Sequence, residues 1–138
     1  MDGDLAPLDK IYQLGLKYNA YVFIDECHAA GFIGKTGKGT PELFGLQGKI
    51  DFVSSTLGKA MGGASGGFLA SNNEVVDMLR NKARTYLFSN SIAPCIVGAS
   101  IEAYHMLAES KDLVNQLNAN TKLFRSGMKA AGFKLLGH

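Results

Sequence analysis

Asp25, Glu26, Cys27 and His28 follow directly on the apolar run "YVFI", and Lys59 stands further along among the five glycines of "DFVSSTLGKAMGGASGG", residues 51 to 67. These residue types suit one kind of chemistry. A carboxylate at a strand end can pair with a cationic ring nitrogen, and a lysine amine can form an imine with a carbonyl. His28, three residues after Asp25, can reach an oxygen on the same ring, and Thr56, three before Lys59, can offer a hydroxyl to a phosphate. A glycine-lined turn is expected to confine Lys59 and strip it of water, which disfavours its ammonium form. Together these roles are the ones pyridoxal 5'-phosphate (PLP) requires, with Asp25 keeping the pyridine ring an electron sink.

Each residue also has an ordinary reading. A strand-end aspartate serves as a turn or cap residue, a lone histidine packs in a core, a lysine sits on the surface, and glycines build tight turns. The combination, more than any member, points to the cofactor. Two other chemistries fail on the pattern. The "GKT" at 34–36 would need a glycine at position 29 to make a nucleotide phosphate loop, and Ala29 stands there. Helix formers should then follow, but Gly37, Gly39 and Pro41 do. Zinc is disfavoured because Cys27 and His28 are adjacent and no second closely spaced ligand pair exists.

The elements that must position these residues alternate. Asp4 is placed to cap a helix with Pro7 in its first turn and Leu8, Ile11 and Tyr12 on one face, ending near "KYNA". "YVFI" and "DFVSS" read as strands too apolar for exposed edges, and "GGFLA" as a third. Helical periodicity marks 73–80 with Val75, Val76 and Leu79, 94–109 with Val97, Ile101, Tyr104 and Ala108, and 113–131 with Leu113, Leu117, Phe124 and Met128. The final "FKLLG" reads as the start of a strand. Mixed strands and helices predict a layered α/β core, with parallel strands where helices intervene. Ligands in such sheets sit at the carboxyl ends of strands, where Asp25 falls.

With 138 residues the chain is long enough for one domain, and its 46% hydrophobic and 19% charged residues are those of a globular protein. A net charge of +2 implies neither a nucleic-acid nor a membrane partner. The basic excess lies after residue 110, where Lys111, Lys122, Arg125, Lys129 and Lys134 face only Asp112, a solvated helix face. Cys27 and Cys95, with no secretory leader, fit a reducing compartment, and Cys27 is expected to pack rather than react.

"DECHAAGFIGKTGKG", "STLGKAMGGASGG" and "YLFSNSIAP" resemble, in order and spacing, the α-oxoamine synthases, PLP enzymes of the aspartate aminotransferase fold (fold type I). The resemblance runs from "MDGDLAPLDKI" to "AAGFKLLGH". It implies that Lys59 holds the cofactor and moves protons at the substrate α-carbon, that Asp25 pairs with the pyridine nitrogen, and that His28 bonds the phenolate oxygen. It further implies Thr56 as a phosphate ligand, with Ser89 and Asn90 of "FSN" reaching the cofactor phosphate of a neighbouring subunit. The loop from Lys35 to Gly39 is then structural or part of the site wall. "STLGKAMGGASGG" and "FSNS" lean towards the members that condense glycine with acetyl-CoA to 2-amino-3-oxobutanoate and coenzyme A, a reaction of threonine breakdown. Sister members with other amino acids or acyl-CoAs share the aspartate, histidine and lysine.

Family members are far longer, so the resemblance makes residues 1–138 part of the PLP-binding large domain, entering the link to a smaller domain at 132–138. It places outside this stretch the glycine-rich phosphate turn, the ring-stacking histidine and the arginine that grips the substrate carboxylate. A homodimer is implied for the whole protein, in the cytoplasm of a bacterium or the mitochondrion of a eukaryote. A noncatalytic fragment is the alternative from another functional class, because missing neighbours would leave sheet edges open.

Overall fold

The computed structural model describes residues 2–62 and 65–137. Gly63 and Ala64 of the glycine-rich segment, like Met1 and His138, lie outside the described residues. Among the described residues three strands make one sheet in the order β1 (Phe23–Asp25), β2 (Phe52–Thr56), β3 (Gly67–Ala70). β1 and β2 are parallel with Asp25 opposite Ser54, because the intervening chain is long enough to cross over. β2 and β3 are antiparallel with Thr56 opposite Gly67, the short excursion between them turning the chain back on itself. The Glu26 amide donates to the Ser54 carbonyl at 2.8 Å and carries the parallel ladder one residue past β1. Asp25 and Thr56 therefore reach the same edge of the sheet.

The first helix, α1 (Leu8–Tyr18), starts later than the sequence predicts. Pro7, not Asp4, occupies its N-terminal boundary, since the Ile11 amide closes the first turn on the Pro7 carbonyl at 3.0 Å. Proline suits this place, where an amide would lack a helical partner. Asn19, in left-handed backbone at φ 49°, ends the helix, and the Ala20 amide returns to the Gly15 carbonyl at 2.9 Å. Gly15 is needed there because a Cβ would come within 2.6 Å of Val22 Cγ2. That close approach lets α1 seat Leu8, 1% exposed, on Val22 and Leu46, with Tyr12, Ile24, Phe44 and Ile50 around them. Ile11, expected on the buried face, is exposed.

α2 (Thr40–Leu43) is a single turn that the sequence reading missed, with Pro41 tolerated because it stands in the first turn. α3 (Asn73–Lys82) covers the predicted 73–80, started by the Asn72 side chain, which accepts from the Val75 amide at 2.9 Å. A further short helix, α4 (Arg84–Phe88), follows, and α5 (Pro94–Glu109) matches its predicted span. The Tyr104 ring meets Phe68 edge to face at 6.1 Å, which brings α5 to β3. α6 (Asp112–Ala130) also forms, but Leu113, Leu117 and Phe124 of its apolar stripe are exposed. Residues 133–137 form no strand. Instead the Arg125 guanidinium donates to the carbonyls of Leu136 and Gly137 at 3.2 and 3.0 Å, taking acceptors that a ladder would use.

Candidate active site

The segment after β1 answers what the glycine loop is for. Glu42 directs one carboxylate oxygen at the amides of Thr36 and Lys38, at 2.9 and 3.2 Å, and the other at the Thr36 hydroxyl, at 2.7 Å. The loop thus cradles an anion, but that anion is its own chain's carboxylate. These donors hold the Glu42 carboxyl below the usual glutamate range against the opposing effect of desolvation. Glu26, 5% exposed, accepts from the Thr40 amide at 2.6 Å and anchors the far end of the loop. Gly34 and Gly39 have φ of 89° and 88°, and a Cβ on them would strike the carboxylates of Glu42 and Glu26 respectively. The Lys35–Gly39 loop is a structural element, as one of its two expected roles had it.

Asp25 ends β1 with its Oδ1 accepting from the Cys27 amide at 2.8 Å. Its carboxyl is held below the ordinary aspartate range, first by the Cys27 thiol and amide, then by the nearby basic groups of Lys59 and His28. In turn the carboxylate raises the Cys27 thiol. Cys27, expected only to pack, is half-buried with its polar groups turned to Asp25, a contact no periodicity could reveal. Asp25 and His28 line a cleft of about 570 Å³ that also includes Asp4, Phe32 and Thr40. Lys59 lies outside that cleft, on the turn that follows β2, within electrostatic reach of Asp25.

Lys59 is exposed, so the confinement expected from its glycine-rich surroundings is not provided by the described residues. The turn itself is well pinned. The Thr56 hydroxyl donates to the Gly66 carbonyl at 3.1 Å and accepts from the Gly58 amide at 3.2 Å, while the Gly62 amide donates to the Lys59 carbonyl at 3.0 Å. Ser89 and Asn90 lie exposed between α4 and α5, and no hydrogen bond among the described residues ties them to Asp25 or Lys59. The structure thus gathers Asp25, His28, Thr56 and Lys59 at one sheet edge, and the segment holding Ser89 and Asn90 approaches the Lys59 turn through Ile92, which packs on Gly66.

A parallel strand pair presenting an ionised aspartate and a turn-borne lysine at its carboxyl edge is the α/β arrangement of fold type I PLP-dependent enzymes. A serine palmitoyltransferase from S. paucimobilis, solved with a bound PLP–myriocin aldimine, superposes with a TM-score of 0.89 at 35% identity, over 97% of this chain and 34% of that one. The family model for aminotransferase class I and II matches residues 1–138, and the chain belongs to that family. It is 50% identical over 137 residues to the mitochondrial 2-amino-3-ketobutyrate coenzyme A ligase of Mus musculus, covering 99% of this chain and 33% of the relative. The Escherichia coli K12 enzyme of the same name is 48% identical over 137 residues, covering 99% and 34%. The chain spans about a third of the length of the relatives it matches. These relatives are α-oxoamine synthases, the group that the sequence motifs resemble.

Proposed function

We propose that this chain is part of a PLP-dependent glycine C-acetyltransferase, condensing glycine with acetyl-CoA to 2-amino-3-oxobutanoate and coenzyme A. The observation that carries this reading is the ionised Asp25 at the end of β1 with Lys59 in electrostatic reach of it. The residues fit the cofactor. A carboxylate that stays charged is what a protonated pyridine nitrogen needs opposite it, and a lysine amine nearby is what the aldehyde needs. Bound there, PLP would supply an electron sink for negative charge at the glycine α-carbon.

The chain's own residues have distinct tasks in this reading. Asp25 holds the ring nitrogen protonated. His28 donates towards the phenolic oxygen. Lys59 anchors the cofactor and takes the proton from the glycine α-carbon, while Thr56 serves as a phosphate ligand. Ser89 and Asn90 serve the neighbouring subunit of a homodimer. Residues 1–138 form part of the large domain, with 132–138 leading to the link. The names of the ketobutyrate ligases carry 2-amino-3-ketobutyrate and coenzyme A, the two products of this condensation, and so support glycine and acetyl-CoA as its substrates; a place in threonine breakdown goes with that reading.

A second reading, a sister condensation with another amino acid or acyl-CoA, is favoured by the likeness to serine palmitoyltransferase and by 44% identity to an 8-amino-7-oxononanoate synthase from Thermosipho melanesiensis. Purified protein is incubated with PLP, reduced with borohydride and mapped by peptide mass. Label on Lys59 that is absent in Lys59→Ala supports the cofactor role. A folded chain labelled only at other lysines would refute it. Pairing glycine, alanine and serine with several acyl-CoAs, on the protein including any flanking sequence, then separates the two reactions.

A further inference from the structure

The exposed Lys59 stands between two buried feet: Leu57 is 6% and Met61 7% exposed, while Gly58, Lys59 and Ala60 face solvent. Met61 rests on the segment that carries Asp25 and His28. Gly31 is the contact point, with φ at 99°, and a Cβ there would come within 2.9 Å of Met61 Sδ and 3.4 Å of Ala60 Cβ. Gly31 is not free to yield. Its amide donates to the Gly37 carbonyl at 2.8 Å, inside the loop that Glu42 clamps. Ala29, two residues earlier, is also buried.

Two stretches far apart in sequence thus meet where Met61 and Ala60 pack on Gly31. The 26–39 segment leaves β1 with the carboxylate, and the 57–62 turn leaves β2 with the amine. β-sheet pairing aligns the strand ends, and the Leu57 amide carries the β2–β3 ladder one residue further by donating to the Gly66 carbonyl at 2.9 Å. Among the described residues the hydrogen bonds of the turn all lie within residues 56–66 and hold its shape, whereas the Met61 contact ties it to the segment that follows Asp25.

We propose that Met61, seated on Gly31, is a positioning residue that sets where Lys59 stands relative to Asp25; the proposal rests on the reading of Lys59 as the cofactor lysine. Shortening Met61 removes the seat and lets the turn move, and displacements of about 1 Å at a reacting group can cost on the order of a hundredfold in rate. Leucine is close to methionine in volume and keeps the contact.

The test uses the full chain with Met61→Ala, Met61→Val, Met61→Leu and a control, Leu46→Ala, whose side chain lies in the Leu8–Val22 cluster. Each is treated with PLP and borohydride at a temperature where far-UV circular dichroism shows it folded. Lys59 label and the pH midpoint of the adduct absorbance are read. Met61→Ala is expected to lower Lys59 label about tenfold and move the pH midpoint by about one unit, and Met61→Leu to keep label within about twofold. If Met61→Ala does not fold, Met61→Val carries the test, with about a threefold loss expected. Leu46→Ala should lose stability yet keep label and midpoint. Unchanged label in folded Met61→Ala or Met61→Val would overturn the proposal alone, as would an equal loss in Leu46→Ala. Absence of Lys59 label from the unsubstituted chain would overturn the functional reading and this proposal with it.

Discussion

Glu42→Ala tests whether an internal carboxylate organises the segment behind Asp25. Three donors converge on Glu42: the Thr36 amide at 2.9 Å, the Thr36 hydroxyl at 2.7 Å and the Lys38 amide at 3.2 Å. Bonds to a charged acceptor contribute about 1.5–3 kcal/mol each. The Lys38 bond is exposed and water replaces it, so the two half-buried Thr36 bonds dominate the loss. Allowing for partial rehydration of these too, the expected cost is about 3 kcal/mol. With a urea slope of about 2 kcal/mol/M, the midpoint falls by about 1.5 M.

Glu42→Gln keeps an acceptor but loses the charge, so about 1 kcal/mol is expected. The pH dependence gives a sharper check. The folded Glu42 carboxyl lies below its ordinary value of 4.5. Its contribution is therefore complete above pH 4.5 and is lost as pH falls from there through the lowered folded value. The difference between wild type and Glu42→Gln should narrow over that range in urea titrations followed by circular dichroism. A midpoint shift below about 0.3 M for Glu42→Ala, or a Glu42→Gln difference that stays constant to low pH, would refute the clamp.

Gly39→Ala forces a Cβ into left-handed backbone and against the Glu26 carboxylate, so a loss of about 2–4 kcal/mol is expected in the same urea assay, together with faster proteolysis between 31 and 42. Leu8→Ala opens the centre of the α1 packing and should cost about 2–4 kcal/mol. A melting temperature within 2–3 °C of wild type, roughly the shift from under 1 kcal/mol, would contradict that placement of the core.

The elements themselves were legible because helices and strands are written in local periodicity. The repeat of Val97, Ile101, Tyr104 and Ala108 marks α5 to the residue, and Val75, Val76 and Leu79 mark α3. Short or unusual elements were not. α2 is one turn around a proline, and the apolar "FKLLG" looks like a strand only until Arg125 claims its carbonyls. The start of α1 moved from Asp4 to Pro7 because two plausible boundary residues stand three apart, and backbone geometry chose between them.

For the candidate site the division is similar. Sequence by itself put an aspartate at the end of one strand and a lysine just past another, and a parallel crossover then brings them to one edge whatever the intervening loop does. Its motifs likewise carried the family, since long ordered strings of residues are information that no folding step adds. Only the tertiary structure decided that the glycine loop holds Glu42, that Cys27 faces Asp25, and that Lys59 is exposed above Met61 and Gly31. Those outcomes depend on where loops without periodicity cross in space. Sterics at glycines and the need to pair buried or half-buried carboxylates set those paths.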